Sequence, residues 1–142
     1  MEIDRSIIGN TTPRVVFDVE KGLIKRFADT VGDPNPLYRD EDAAKRTRHG
    51  GIIAPPIFPS ALILATGFPF EFEPRRSLHG EEEFIFHRQI RAGERLYCQA
   101  KVIDVYEREG RSGPMKFIVT DTEAHDETGA SVVTCRMTMV YR

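Results

Sequence analysis

The ten residues from Pro56 to Ala65 constrain the fold more than any other segment. Ile57, Phe58, Ala61, Leu62, Ile63 and Leu64 leave no polar face when they are wound into a helix. A helix that is apolar all round must be covered by the rest of the chain. Ala54-Pro55-Pro56 marks its start, because proline lacks only an amide proton that has no partner in a first turn. Pro59 still falls within that turn, and Gly67 supplies a stop. The pattern predicts a buried helix over 56–65.

The cover comes from the C-terminal half, where the apolar period changes from helical to alternating. Glu82, Phe84 and Phe86 alternate with Glu83, Ile85 and His87, and Leu96, Cys98, Ala100 and Val102 alternate with Tyr97, Gln99 and Lys101. The apolar phase then slips to Ile103 and Val105, which predicts a bulge. Met115, Phe117 and Val119 begin another strand, and Val133, Cys135, Met137, Met139 and Tyr141 line one face of the last. Turns are expected at Ala92-Gly93-Glu94, Gly110 to Pro114 and Thr128-Gly129.

Ahead of the apolar helix, 14–19 reads as a strand with Asp18 as a cap. Over 20–31, Leu23, Ile24, Phe27, Ala28 and Val31 have amphipathic spacing that ends at Gly32. Asp33-Pro34-Asn35-Pro36 cannot continue a helix and forms a rigid loop. A short helix is expected over 40–46, closed by Gly50-Gly51, and an exposed or mobile loop over 68–76. Helices followed by antiparallel strands define an α+β fold, a sheet curled around the central helix, in a single domain over 1–142.

Hydrophobic residues make up 40% and charged residues 30% of the chain, the balance of a folded protein. The 20 basic and 22 acidic side chains are scattered, which offers no electrostatic track for nucleic acid. Lys45, Arg46, Arg48 and His49 form the nearest basic cluster and read as a solvated helix end. No segment has the length of a membrane span, no export signal is visible, and two cysteines in alternating segments suit a reduced, cytoplasmic protein. His49, His79, His87 and His125 show no zinc-ligand spacing, so no metal is expected. His49, beside the Gly50-Gly51 turn, is the histidine best placed in sequence to approach Asp33.

The run from Phe27 to Asp40, with Asp33-Pro34-Asn35-Pro36-Leu37-Tyr38 at its centre, and the segment Gly51-Ile52-Ile53-Ala54-Pro55-Pro56-Ile57-Phe58 resemble the signature of the MaoC-like dehydratases and (R)-specific enoyl-coenzyme A hydratases. Leu78 to Arg88, followed by Arg91-Ala92-Gly93-Glu94, is similar to the same family's N-terminal dehydratase-type domains. The resemblance implies a hot-dog fold, pairing of two hot-dog units as a homodimer or heterodimer, and an acyl thioester of coenzyme A or of an acyl carrier protein as substrate, with no further cofactor. In this family an Asp and a His five residues later activate or remove water at the acyl β-carbon, and a backbone amide at the central helix start holds the thioester oxygen.

Asp33 matches that aspartate, but Tyr38 stands in the histidine position. A phenol with a reference pKa near 10 cannot replace an imidazole near 6.5 as a base at neutral pH. Pro56 falls near the position of the amide donor and has no N–H. Both departures point to the supporting half of a two-unit dehydratase, whose partner supplies the Asp–His pair. Asp33, Asn35 and Tyr38 are the catalytic candidates, and Ile53, Ala54, Pro55, Pro56, Phe58 and Arg88 are the substrate-binding ones. Set against this, Asp33 and Asn35 also suit the bracing of a proline-locked loop, Tyr38 suits plain packing, and Arg88 suits a solvated strand end. A self-sufficient hydratase that uses Asp33 with non-standard partner residues and a non-catalytic acyl-thioester binding module are the alternatives. A hot-dog thioesterase ranks lowest, because 56–65 contains no acid.

Overall fold

The computed structural model describes residues 3–142. Five strands form one antiparallel sheet in the order β1-β3-β4-β5-β2: β1 Val15–Asp18, β2 Ser77–Phe86, β3 Arg95–Gly110, β4 Gly113–His125 and β5 Ser131–Tyr141. The helices are α1 Lys21–Thr30, α2 Glu41–Lys45 and α3 Pro59–Thr66. Among the described residues no helix is long and apolar enough to cross a membrane.

The sheet curls around α3, which packs against β1, β3, β4 and β5. Phe58 and Leu62 are fully enclosed, together with Leu96, Val102, Ile118, Val132 and Val133 from the strands. Alternation on β3 sends Leu96, Cys98, Ala100 and Val102 inward. The expected phase slip is a bulge, where the β3–β4 register shifts between Val102 and Asp104 and returns Val105 to the core. Both cysteines are buried and unpaired.

The central helix begins at Pro59, three residues later than the sequence pattern places it, and ends at Thr66. Pro55, Pro56 and Pro59 have no amide to give, so 55–58 closes as a turn in which the Phe58 amide donates to the Pro55 carbonyl at 2.9 Å. Gly67, at φ 77, stops the helix. Asp18 does not cap α1. Its carboxylate accepts from Arg95 at 2.8 Å, and Glu20 occupies the cap position without a side-chain bond. The 68–76 loop is better packed than its prolines suggest: Phe70 is buried, and Phe68 stacks at a tilt against Phe70 and Phe72.

Candidate functional site

Gly32, at φ 73, lets the chain reverse at the end of α1 and places Asp33 so that its amide reaches back to the Ala28 carbonyl at 2.8 Å. Two side chains then build the loop. Asp33 Oδ1 accepts the Asn35 amide and Asn35 Oδ1 accepts the Leu37 amide, each at 3.0 Å. These Asx turns lead into a 3-10 turn over Pro36–Tyr38, with Pro36 supplying the fixed φ. Arg39 clamps the loop from the other side, with its guanidinium donating to the Asp33 carbonyl at 2.6 Å and to Asp29 at 2.5 Å. Sequence reading passed over Arg39, because nothing in the pattern shows a side chain folding back onto its own loop.

The loop brings Asp33 and Tyr38 together. Tyr38 is buried, and its hydroxyl hydrogen-bonds to no described residue. Burial pushes the phenol pKa above its ordinary value, and the nearby Asp33 charge pushes it the same way. Tyr38 therefore stays protonated at neutral pH. It can donate a proton in a hydrogen bond and cannot accept one as a base.

Residues 52–54 run beside this loop. The Ile53 amide donates to Leu37 at 3.3 Å, the Ala54 amide to Ile90 at 2.9 Å, and the Ala92 amide to Ile52 at 3.0 Å. Ile53, Ala54 and Pro55 are buried, whereas Pro56 is exposed. Phe58 has no exposed surface and meets Phe17 and Phe27 edge-on, with centroids 6.0 and 5.3 Å away. Between Ala54 and Ser60, the amides of Ala54, Phe58 and Ser60 have backbone partners and three residues are prolines; the Ile57 amide bonds to no described residue.

Arg88 lies apart from the loop. Its guanidinium grips Glu94 at 2.7 and 3.1 Å and reaches Asp126 at 3.4 Å, and the Glu94 bond raises its pKa. His49 makes no hydrogen bond or ion pair with Asp33. Its amide bonds to Thr47, and its carbonyl accepts from Arg91.

An apolar cleft of about 350 Å³ opens elsewhere, between the outer side of α3, the Phe68–Phe72 loop and strands β2 and β5. Ile63, Leu64, Leu78, Met137 and Met139 give it apolar walls. Its polar groups are few: Ser60 Oγ donates to Glu82 Oε2 at 3.2 Å, His79 stands on the wall, and Ser77 Oγ is buried without a partner. Sequence reading missed these residues because they come from four segments. Ser60 was the one visible signal, the single hydroxyl in the apolar segment 56–65. The turn over 55–58 links the two features, since it follows the segment bonded to Leu37 and leads into the first turn of α3, where Ser60 stands in the cleft wall.

A five-stranded antiparallel sheet in this order, wrapped around one apolar helix, is the hot-dog fold. The chain belongs to the family described as FAS1-like, dehydratase domain region, whose model matches residues 6–135. It is 33% identical to a UPF0336 protein of Streptomyces avermitilis over all of this chain and 97% of that protein. Among solved structures, it is similar to a chain of the HadBC (3R-hydroxyacyl-ACP dehydratase) complex from Mycobacterium tuberculosis. That match has a TM-score of 0.81 and 23% identity, and covers 99% of each chain. A chain of the ChsH1-ChsH2 complex from the same organism matches with a TM-score of 0.75 and 19% identity, over 92% of this chain and 83% of that one.

Proposed function

We propose that this chain is the supporting half of a 3-hydroxyacyl-thioester dehydratase or enoyl-thioester hydratase. It binds the acyl thioester, and a second hot-dog unit supplies the base. The observation that carries this reading is Tyr38. At the position where the family's chemistry needs an imidazole, the chain holds a buried phenol with a raised pKa, beside a carboxylate whose Oδ1 is already committed to the loop backbone.

In this reading Asp33, Asn35 and Tyr38 form a polar wall, with the Tyr38 hydroxyl and the side-chain Nδ2 of Asn35 as donors toward a thioester or hydroxyl oxygen. Ile53, Ala54, Pro55 and Pro56 flank the approach, and Phe58 backs them from the core. Pro56 cannot give an amide to the thioester oxygen, so the Ile57 amide is the donor that the turn leaves free. Arg88, held by two carboxylates, fixes the end of the sheet and meets substrate phosphate only at its rim. The cleft at Ser60, Leu64 and Met137 takes the acyl chain. Support for a two-unit assembly comes from relatives of the same fold found in HadBC and ChsH1-ChsH2 complexes.

The test is binding measured separately from turnover. The purified chain is titrated with a saturated acyl-coenzyme A, which cannot react, and assayed with the matching enoyl-coenzyme A. Binding that weakens in Met137→Trp, with no hydration by the chain alone, fits the proposal. Full hydration by the chain alone contradicts it and favours a self-sufficient enzyme. Binding with no activity beside any hot-dog partner favours the binding module.

A further inference from the structure

Of the two edge strands of the sheet, β1 and β2, the second carries an unusual mixture of side chains. β2 pairs with β5 on one side only, so its other side offers unused backbone donors and acceptors. Leu78 at one end of the strand and Ile85 and Phe86 at the other are 47%, 41% and 40% exposed, and Leu64 of α3 beside it is 76% exposed. Between these apolar ends stand three consecutive acids, Glu81, Glu82 and Glu83.

None of the three forms an ion pair among the described residues. Glu82 Oε2 accepts from Ser60, and Glu83 lies opposite Arg136, whose guanidinium is already held by both oxygens of Asp121 at 2.8 and 2.9 Å. Edge carboxylates alone are an ordinary guard against sheet-to-sheet aggregation. A guard has no use for exposed leucine, isoleucine and phenylalanine on both sides of it, and a clustered apolar rim marks a surface that meets a partner.

We propose that β2 is a selective edge, which rejects a second copy of this chain and accepts a hot-dog strand carrying lysine or arginine at its centre. The identity of the partner's fold rests on the two-unit reading above; the charge argument rests on β2 itself. A dimer of identical chains is two-fold symmetric, so its joined edge strands run antiparallel and meet near their middles. If both central helices stay on the same side of the joined sheet, two registers keep nearly all of β2 paired. One sets Glu81 against Glu83 and Glu82 against its own copy. The other sets Glu81 against its own copy and Glu83 against His79. Like charges directly opposite each other destabilise a strand pair, whereas opposite charges stabilise it. The apolar ends favour contact in every case, so the acidic centre decides which partner stays.

The test needs only this chain. Wild type and the Glu81→Lys/Glu83→Lys double variant are studied by sedimentation at low salt, alone and mixed. We expect each to self-associate weakly and the mixture to form one-to-one dimers at least about tenfold tighter, with the gain lost at high salt. The Glu81→Gln/Glu83→Gln variant, which keeps size and polarity, is expected to self-associate more tightly than wild type, and it serves if the lysine variant misfolds. A tight wild-type homodimer at low salt, or glutamine substitution without effect, overturns the proposal. These arms read association alone. A selective edge with no dehydratase activity beside any hot-dog partner would therefore refute the functional reading and leave this one standing.

Discussion

Phe58 was a candidate for substrate contact on sequence grounds, and its surroundings give it a calculable role in holding the site together. Its ring has no exposed surface and joins α3 to β1 through Phe17 and to α1 through Phe27. Phe58→Leu keeps most of the buried volume and loses two edge-to-face contacts. At about 0.5–1.5 kcal/mol each, that amounts to about 1–3 kcal/mol. Phe58→Ala removes a fully buried side chain and leaves a cavity, at a cost of about 3–5 kcal/mol. Urea unfolding followed by circular dichroism measures both, and the midpoint is expected to fall in the order wild type, Leu, Ala with an unchanged slope. Affinity of the Leu variant for a saturated acyl thioester is expected to stay within about threefold of wild type, because backing residues act through stability. A loss below about 1 kcal/mol in the Ala variant, or an affinity loss in the Leu variant that exceeds its stability loss, would refute the assignment of Phe58 to the core.

Three further outcomes follow from the same geometry. Burial pushes the Cys98 thiol up to about 11 and the Cys135 thiol up to about 12, so the folded chain holds protons that the unfolded chain gives up first. Their contribution to stability is therefore fully present below about pH 8.5 and is lost as pH rises toward 11 and 12, less steeply in Cys135→Ala; thermal melts across that range test the sign. Arg39→Lys removes the planar fork that ties Asp29 to the Asp33 carbonyl. It is expected to weaken ligand binding several-fold with little loss of stability, and Arg39→Met is expected to do so more strongly, as read by titration. Asp126 gathers the Thr128 amide and hydroxyl, the Ala130 amide and Arg88, which hold its pKa down to about 2. Asp126→Asn should loosen the β4–β5 turn, seen as faster amide exchange there, and wild type should lose this contribution only as pH falls toward 2.

Much of the fold was legible in the sequence because burial is periodic. The alternation on β3 and the slip after Val102 fixed both the inward face and the bulge, since a change of phase moves every following side chain to the other face. Prolines blurred the rest. Pro55, Pro56 and Pro59 all suit a first helical turn, and only tertiary geometry decides which of them opens the helix. The loop at Asp33 and Tyr38 was legible because its residues are contiguous and its bonds local. The cleft was not, because Ser60, Glu82 and Met137 meet only when the sheet curls, and no local pattern records that curl.

In the proposed function, Tyr38 removes the base from this chain and leaves the rest of the site in place. The most direct measurement is hydration of an enoyl-coenzyme A by purified wild type and by Tyr38→His, each followed through loss of the enoyl-thioester absorbance across pH 5 to 9. No turnover is expected from wild type, and Tyr38→His is expected to gain turnover that rises through an apparent pKa in the imidazole range, set by His acting with Asp33. Turnover by wild type that Tyr38→His leaves unchanged would contradict this reading.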